Sequence, residues 1–331
     1  MSKFNSNQLS RSEFLKLTAL ASAGVLLGTN KLFALPNEAN KDFHHFKIGA
    51  FKCTAISDGT LTFPSGFYAV NAKQEEVEKV LREHKLPEKS VTNQSISLVV
   101  NTGKNLVLID TGMGEYLIPG MKERTGGKLQ ENLKKAGIRT SEIDTVILTH
   151  AHPDHIAGVL TPQGVPAFAN ATYYIWKGEW DYWIPVVEST SAEDLKNDVT
   201  KTVIKEKLAP LTKHKLVFID KEDEIVPGIK AISSIGHTPG HITLEITSGK
   251  TTFLHTVDVA GHFVIATEHP DWYGGYDMDG TKAMAVRRKI LDKAADNKLL
   301  MMGYHFPFPG IGHIAKNKSG NNWDWHPIKL K

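Results

Sequence analysis

Residues 149–158 read Thr149-His150-Ala151-His152-Pro153-Asp154-His155-Ile156-Ala157-Gly158. Three imidazoles and one carboxylate therefore fall within six residues, in the spacing His-x-His-x-Asp-His. The preceding run, 144–149, is apolar and rich in β-branched residues, which predicts a buried strand that ends where the cluster begins. Neutral imidazole and carboxylate are good ligands for zinc and similar divalent ions. Surface histidines without an ion are the alternative, but four ligand-type side chains at this spacing favour a metal site.

The order of these groups indicates more than one metal position. His150 and His152 alternate, so in an extended segment they point the same way, and Asp154 continues the alternation. His155 breaks it and must be turned elsewhere by the loop. One run thus serves two neighbouring positions, and because a single tetrahedral ion would need no further ligands, we expect partners from distant parts of the chain.

Composition excludes several function classes. The chain has 331 residues, enough for one large domain or two ordinary ones. Its net charge of +3 and pI near 8.6 are too mild, and the charges too evenly spread, for nucleic-acid binding. The single cysteine, Cys53, excludes an internal disulfide and any thiolate-rich zinc site. It lies in a strand-like run, which predicts a small core residue.

The N-terminus has the pattern of an export signal over residues 1–35. Ser10-Arg11-Ser12-Glu13-Phe14-Leu15-Lys16 precedes an apolar run over 17–27, which is too short for a standard membrane span. The heptad is similar to a twin-arginine signal, except that Ser12 stands in place of the second arginine. The general secretory route is the alternative. We predict a periplasmic or secreted protein with no stable membrane anchor after cleavage.

The rest of the chain alternates strands and helices, as in a layered α/β domain. Residues 129–137 form an amphipathic helix with glycine at its end, and it leads into the strand before the histidines. The spacing of apolar residues predicts a second long helix over 281–297. Residues 191–212 are predicted to be helical and charged. Asp58-Gly59 predicts a hairpin turn.

Two segments are dense in aromatic residues, 176–184 and 269–276. Their rings either pack into the core or line an apolar substrate pocket, and the sequence favours neither for the first segment. As pocket candidates we take the six residues Trp180, Tyr182, Trp183, Trp272, Tyr273 and Tyr276.

Three further ligand-type residues, His237, Asp258 and His305, each lie at or just after a predicted strand end. Strand ends gathered at one sheet edge can bring distant side chains together. With the first cluster they make seven candidates, a number that suits two ions sharing a carboxylate. Spacing does not decide between His237 and His241. Asp110 also lies at a predicted strand end, and we expect it to hold nearby backbone or a ligand histidine in place, with a direct ligand role as the alternative.

These motifs resemble the metallo-β-lactamase superfamily. The resemblance rests on the His-x-His-x-Asp-His run, on Gly236-His237-Thr238-Pro239-Gly240-His241, and on Asp258 and His305, and it covers roughly residues 46–328. Within the superfamily, the block 305–314 is similar to methyl parathion hydrolase and its relatives. The resemblance implies a four-layer αββα sandwich of the α/β class, with a single hydrolase domain over 36–331.

The resemblance also implies a ligand set and a chemistry. His150, His152 and His237 would hold one ion, Asp154, His155 and His305 the other, and Asp258 would bridge the two. His241 and Asp110 become residues behind the ligands. The expected cofactors are two divalent metal ions per chain, with zinc as the expected metal. A metal-bridging hydroxide would attack an organophosphate triester or a similar uncharged ester, with Asp154 or Asp258 moving a proton. A lactonase for acyl-homoserine lactones, or a β-lactam hydrolase, is the alternative, and related proteins suggest a homodimer.

Overall fold

The computed structural model describes residues 41–115, 125–318 and 320–330. The predicted export signal lies outside these residues. Within them, two seven-stranded mixed sheets face each other. The first runs in chain order through β1 (Phe43–Ile48), β2 (Phe51–Pro64), β3 (Ser90–Asn101), β4 (Leu106–Ile109), β5 (Thr145–Leu148), β6 (Thr172–Trp176) and β7 (Leu216–Ile219).

The strands of the second sheet also follow chain order, from β8 at one edge to β14 at the other. Its strands are β8 (Glu224–Val226), β9 (Ile229–Ser233), β10 (Ile242–Ser248), β11 (Thr251–Val257), β12 (Leu300–Gly303), β13 (Ile311–Lys316) and β14 (Trp323–Pro327). The strands β4 to β7 pair in parallel, as do β11 and β12, while the other pairs are antiparallel.

Helices cover the outer faces of both sheets. The described α-helices are α1 (Gln74–Glu83), α2 (Leu129–Lys135), α3 (Pro153–Ile156), α4 (Lys177–Ser189), α5 (Ala192–Lys196), α6 (Val199–Val203), α7 (Ile265–Glu268) and α8 (Gly280–Asp296). Among the described residues, none of these is long and apolar enough to cross a bilayer. The predicted helix over 281–297 is confirmed as α8. The segment 191–212 is helical as predicted, but it is divided into short helical segments because Asp198 caps a new helix at Val199.

The layers follow from alternation along buried strands. In β5, Val146 and Leu148 pack against the helices outside the first sheet, while Ile147 points into the core between the two sheets. Strands buried on both faces read as continuous apolar runs, as this one does. Cys53 is buried in the same inter-sheet core. A third core lies between the second sheet and α8, around Ile290. The predicted four-layer sandwich is confirmed.

The predicted hairpin turn at Asp58-Gly59 is wrong. Strand β2 continues through both residues and only shifts its register against β3 between Ser57 and Gly59. The Asp58 carboxylate instead turns inward and accepts hydrogen bonds from the backbone N–H groups of Met113, Gly127 and Leu129, at 2.9, 3.0 and 2.9 Å. A β-bulge re-aims a side chain in this way, so a turn-like dipeptide became a loop anchor.

A buried histidine makes the stability of the fold depend on pH. The side chain of His262 is 3% exposed, and its Nδ1 accepts hydrogen bonds from the N–H groups of Val264 and Ile265, at 3.2 and 3.1 Å, near the start of α7. Burial, with a smaller contribution from the His84 charge, lowers the pKa of His262 to about 3. The folded protein therefore holds this ring neutral under conditions where the unfolded chain protonates it.

We expect His262→Asn to make unfolding less sensitive to acid, because asparagine keeps an acceptor for the helix start but does not titrate. As the pH falls below about 6.5, the unfolded wild-type chain takes up the proton first, and His262 costs about 1.4 kcal/mol of stability per pH unit down to its folded pKa. Denaturant titrations in chelator, repeated between pH 7 and pH 5, measure this difference in slope. Parallel curves for the two proteins would contradict the assignment.

Candidate metal centre

The seven predicted ligands converge at the carboxyl ends of four strands. His150, His152, Asp154 and His155 follow β5, while His237 follows β9, Asp258 follows β11 and His305 follows β12. Their donor atoms form two adjacent groups, each within 4.8 Å: His150, His152, His237 and Asp258 in one, and Asp154, His155 and His305 in the other. Since the strands come from both sheets, the site spans one edge of the sandwich.

The first group has the dimensions of a tetrahedral site. The His152 Nδ1 atom lies 3.0 Å from His150 Nε2 and 2.9 Å from His237 Nε2, and those two Nε2 atoms are 3.2 Å apart. The Asp258 Oδ2 atom lies 3.8 and 3.3 Å from the nitrogens of His150 and His237. A tetrahedral zinc with ligand distances of about 2.0–2.1 Å places its donors roughly 3.4 Å apart. Three ring nitrogens converging on one point fit a shared cation.

One oxygen atom belongs to both groups. Asp258 Oδ2 also lies 3.3 Å from His155 Nε2 and 3.2 Å from His305 Nε2. Asp154 Oδ2 lies 3.5 and 3.4 Å from the same two nitrogens. Asp154 Oδ2, His155 Nε2 and Asp258 Oδ1 are buried without a hydrogen-bond partner. Buried polar atoms without partners are costly, so these atoms fit ligands of a second cation.

The surroundings of the cluster lower the pKa of some ligand histidines and raise the pKa of others. Burial, together with neighbouring rings, holds the pKa of His150 and His152 well below the usual range, so both are free to coordinate. Burial alone would also lower the pKa of His155, but the charges of Asp258, Asp154 and Asp110 raise it well above its ordinary value. Burial and the surrounding carboxylates act on His237 in the same opposed way, and its pKa rises to about 9.

Asp110 and Thr149 stand behind two of the ligand histidines. The His155 Nδ1–H group donates to Asp110 Oδ2 at 2.8 Å. The Thr149 hydroxyl donates to the same oxygen at 2.8 Å and lies 3.1 Å from His150 Nδ1. Asp110 has a φ of +61°, a conformation uncommon outside glycine. Its backbone is held there by contacts that orient ligands, the arrangement typical of metal-bound histidines.

His241 supports the shared carboxylate rather than joining the ligands. Its Nε2 accepts the backbone N–H of Asp258 at 3.3 Å, and its Nδ1 lies 2.8 Å from the Ser234 hydroxyl. Of the two histidines that spacing left undecided, the structure therefore places His237 in the donor cluster. Val257, just before Asp258, has a φ of +51°, which is strained for a β-branched residue and turns the carboxylate into the site.

Three residues beside the site were missed by sequence reasoning. Tyr304 stacks on the His155 ring with centroids 3.9 Å apart, and its hydroxyl donates to the Asp154 carbonyl at 2.6 Å. Glu179 is fully buried and accepts hydrogen bonds from the loops that carry His150 and His237. Asp277 Oδ1 lies 2.9 Å from His237 Nδ1. Only Glu179 had a usable signal, since it shares a helix face with the buried Trp183 four residues later.

The six aromatic candidates separate into two places. Trp183 is in the core under the first sheet and donates from Nε1 to Glu179 at 3.0 Å, Trp180 packs against that core and Phe218, and Tyr182 is 38% exposed. Core packing thus describes the two tryptophans. In the aromatic loop (residues 269–276), the Tyr276 ring lies 5.5 Å from that of His237.

The other two candidates belong to the same loop. Trp272 stacks on His269 with ring centroids 3.9 Å apart. Tyr273 is joined to the segment after β2 by two hydrogen bonds, from its N–H to Asn71 Oδ1 and from the Val70 N–H to its carbonyl, both 2.9 Å long. Through Tyr276, the aromatic loop therefore lies beside His237 and the other metal-ligand candidates.

The family model of the metallo-beta-lactamase superfamily matches residues 90–305, which include all seven ligand candidates. The chain belongs to the metallo-β-lactamase superfamily. Among solved structures, it is similar to AidC, a dizinc quorum-quenching lactonase in complex with a product, with 28% identity, a TM-score of 0.77 and coverage of 88% of this chain and 98% of AidC. It is also similar to the hydrolase AbOPH, with 29% identity, a TM-score of 0.79 and coverage of 89% of this chain and 100% of AbOPH.

Curated sequence relatives include N-acyl homoserine lactonases from Bacillus sp and Bacillus cereus. Each is 26% identical over 179 residues, a stretch that covers 49% of this chain and 62% of the lactonase. The chain thus spans less than two thirds of the length of these relatives. The predicted superfamily and fold are confirmed, and the cluster fits the two zinc ions that a dizinc relative implies.

Proposed function

We propose that this protein is a dinuclear metal-dependent hydrolase that opens the ring of N-acyl homoserine lactones. The observation that carries the proposal is the position of Asp258 Oδ2, which lies 3.2 to 3.8 Å from nitrogens of both histidine groups. A single oxygen between two sets of donors suits a pair of cations.

The ligand assignment follows the two groups. His150, His152 and His237 would hold one ion, Asp154, His155 and His305 would hold the other, and Asp258 would be shared. Imidazoles are neutral when they coordinate a metal, so the five histidines and two carboxylates would then carry a charge of about −2, and two divalent ions would leave a net positive centre that attracts a carbonyl oxygen. When bound, the ions supply an acidified water and polarise the scissile carbonyl.

Ring opening involves three changes in bonding, and the chain's own residues assist them. Water adds to the lactone carbonyl carbon, the ring C–O bond breaks, and the departing oxygen takes up a proton. Asp154 is the better proton carrier of the two carboxylates, because its side chain is 13% exposed against 5% for Asp258. Asp110 and His241 keep His155 and the Asp258 backbone in position. The Tyr276 ring, beside His237, offers apolar surface to the acyl chain.

We propose a lactone rather than a phosphotriester as the substrate because several of the similar proteins are lactonases. The curated relatives are N-acyl homoserine lactonases, and AidC binds N-hexanoyl-L-homoserine as a product. The phosphotriester expected from the resemblance to methyl parathion hydrolase stays as the competing substrate in the assay below.

We expect the purified protein to contain about two zinc ions per chain and to open N-hexanoyl homoserine lactone, with at least a 100-fold loss on chelation. Metal chemistry stabilises such transition states by several kcal/mol, and each tenfold in rate corresponds to about 1.4 kcal/mol. Elemental analysis and a pH-indicator assay measure both quantities, before and after chelation and again after zinc is returned.

A panel of an aryl phosphotriester, an aryl carboxylic ester and a β-lactam tests the substrate class under the same conditions. Turnover of the phosphotriester alone would remove the lactone and keep the hydrolase. Two bound ions without turnover of any of these substrates would contradict the proposed hydrolase activity.

We also propose export to the periplasm or beyond, supported by the signal-like pattern of residues 10–27. Cell fractionation of the 331-residue chain, with and without residues 1–35, tests this proposal. The homodimer stays a prediction that sedimentation of the mature protein can test.

A further inference from the structure

The carboxylate of Asp277 serves two parts of the molecule at once. Oδ1 lies 2.9 Å from Nδ1 of His237, while Oδ2 accepts the backbone N–H of Gly274, inside the aromatic loop, at 3.0 Å. Oδ2 also lies 3.2 Å from Nη2 of Arg287 on α8. The side chains of Asp277 and Arg287 are 0% and 1% exposed, so neither interaction is shared with bulk water.

Arg287 extends these contacts to the shared ligand and to the rest of the aromatic loop. Its Nε donates to the carbonyl of Val259, next to Asp258, at 2.7 Å. Its Nη1 donates to the carbonyls of Pro270 and Trp272 at the start of the loop, the first at 3.2 Å. A buried guanidinium with these partners has one preferred position, because each lost hydrogen bond would leave a desolvated donor.

We propose that Asp277 and Arg287 form a strut that couples the order of the aromatic loop to binding of the ion held by His150, His152 and His237. The inference rests on the proposed ligand set. His237 faces the other two histidines through Nε2, so its ring orientation depends on the hydrogen bond that Nδ1 makes to Asp277. Any shift of the loop that breaks the Gly274 contact displaces the same carboxylate, and the ring with it.

Coupling of this kind is reciprocal. If the bound ion fixes His237, and His237 fixes Asp277, then the ion orders the loop, and an ordered loop tightens the ion by the same factor. Asp277 and Arg287 are therefore positioning residues: they act on the reaction through His237 and through a loop beside it. The second ion has a separate support in Asp110, which contacts His155.

Hydrogen exchange of the backbone amides over 270–277, with and without zinc, tests the coupling in the full chain. In the wild-type protein, we expect zinc to slow exchange at Gly274 and its neighbours by at least tenfold. In Asp277→Asn the zinc-dependent part should disappear, and zinc affinity should fall by about 10- to 100-fold, as for other outer-shell partners. Asp279→Asn, which changes only the exposed cap of α8, should behave as the wild type does.

Asp110→Asn provides the mirror experiment. It should weaken zinc binding by a similar factor through His155 but keep the zinc-dependent protection of the loop. If Asp277→Asn fails to fold because it leaves a buried arginine unpaired, Asp277→Asn/Arg287→Met removes both charges and takes its place.

Two zinc ions bound by the wild-type protein with no change in loop exchange would overturn the strut and leave the proposed function intact. Zinc-dependent protection that persists in Asp277→Asn would overturn it as well. If the wild-type protein binds no zinc, the proposed function fails, and the strut fails with it.

Discussion

Replacing Asp258 with alanine should reduce hydrolysis by more than about 100-fold, beyond the range typical for loss of an outer-shell partner, and leave fewer than two ions per chain. Asp258 Oδ2 is the atom that both donor groups share, at 3.2 Å from His305 and 3.3 Å from His155 and His237. Without it, each group retains three donors. Alanine also removes a negative charge that offsets the repulsion between the two cations, so the second ion should bind much more weakly than the first.

Elemental analysis after gel filtration and steady-state rates at saturating zinc measure the two effects. Asp324→Ala is the matched control, since Asp324 is an exposed aspartate on β14. Asp258→Asn should be intermediate, because the amide keeps a neutral oxygen donor. Two ions per chain at a near-normal rate in Asp258→Ala would contradict the shared-ligand role.

Replacing Glu179 with alanine should lower the free energy of unfolding by about 3–5 kcal/mol, an effect as large as breaking a buried ion pair. Its Oε1 accepts from the Ala151 N–H at 2.8 Å and from the Trp183 indole at 3.0 Å. Its Oε2 accepts from the Thr238 hydroxyl at 2.8 Å and the Gly240 N–H at 2.6 Å. Alanine would leave these donors desolvated and unpaired.

Three of these bonds, from Ala151, Thr238 and Gly240, connect the two loops that carry His150 and His237, so zinc affinity should fall in parallel with stability. Denaturant unfolding in chelator isolates the structural loss, and zinc titration measures the effect on the site. Glu188→Ala, an exposed position on the same helix, should change the free energy of unfolding by no more than about 0.5 kcal/mol. Glu179→Gln keeps one acceptor and should fall between the two. Equal stabilities for the Glu179 and Glu188 variants would remove Glu179 from this role.

The sequence allowed the centre of the site to be predicted because its chemistry is local. His150, His152, Asp154 and His155 lie in one short run after an apolar strand, and few other uses bring such side chains together. His237, Asp258 and His305 were recognisable for a related reason, since each follows a predicted strand and strand ends meet at a sheet edge. Their division between two ions came from the family resemblance.

The sequence failed where a side chain serves the backbone. Asp58 reads as half of a hairpin turn, yet its partners are three N–H groups of distant loops. Glu179 lies among aromatic residues that suggested a pocket, although the segment packs into the core around it. Backbone donors are present at nearly every position, so no residue type marks which of them a buried carboxylate will meet.

By itself, therefore, the sequence determined the layered α/β fold, through the alternation of buried strands, and the residues of the metal cluster, through their spacing. The tertiary structure alone decided that His241 contacts the backbone N–H of Asp258, and that Asp277 and Arg287 join the metal-ligand candidates to the aromatic loop. These choices depend on the distances between strands and loops far apart in the chain, and those distances exist only once both sheets have packed.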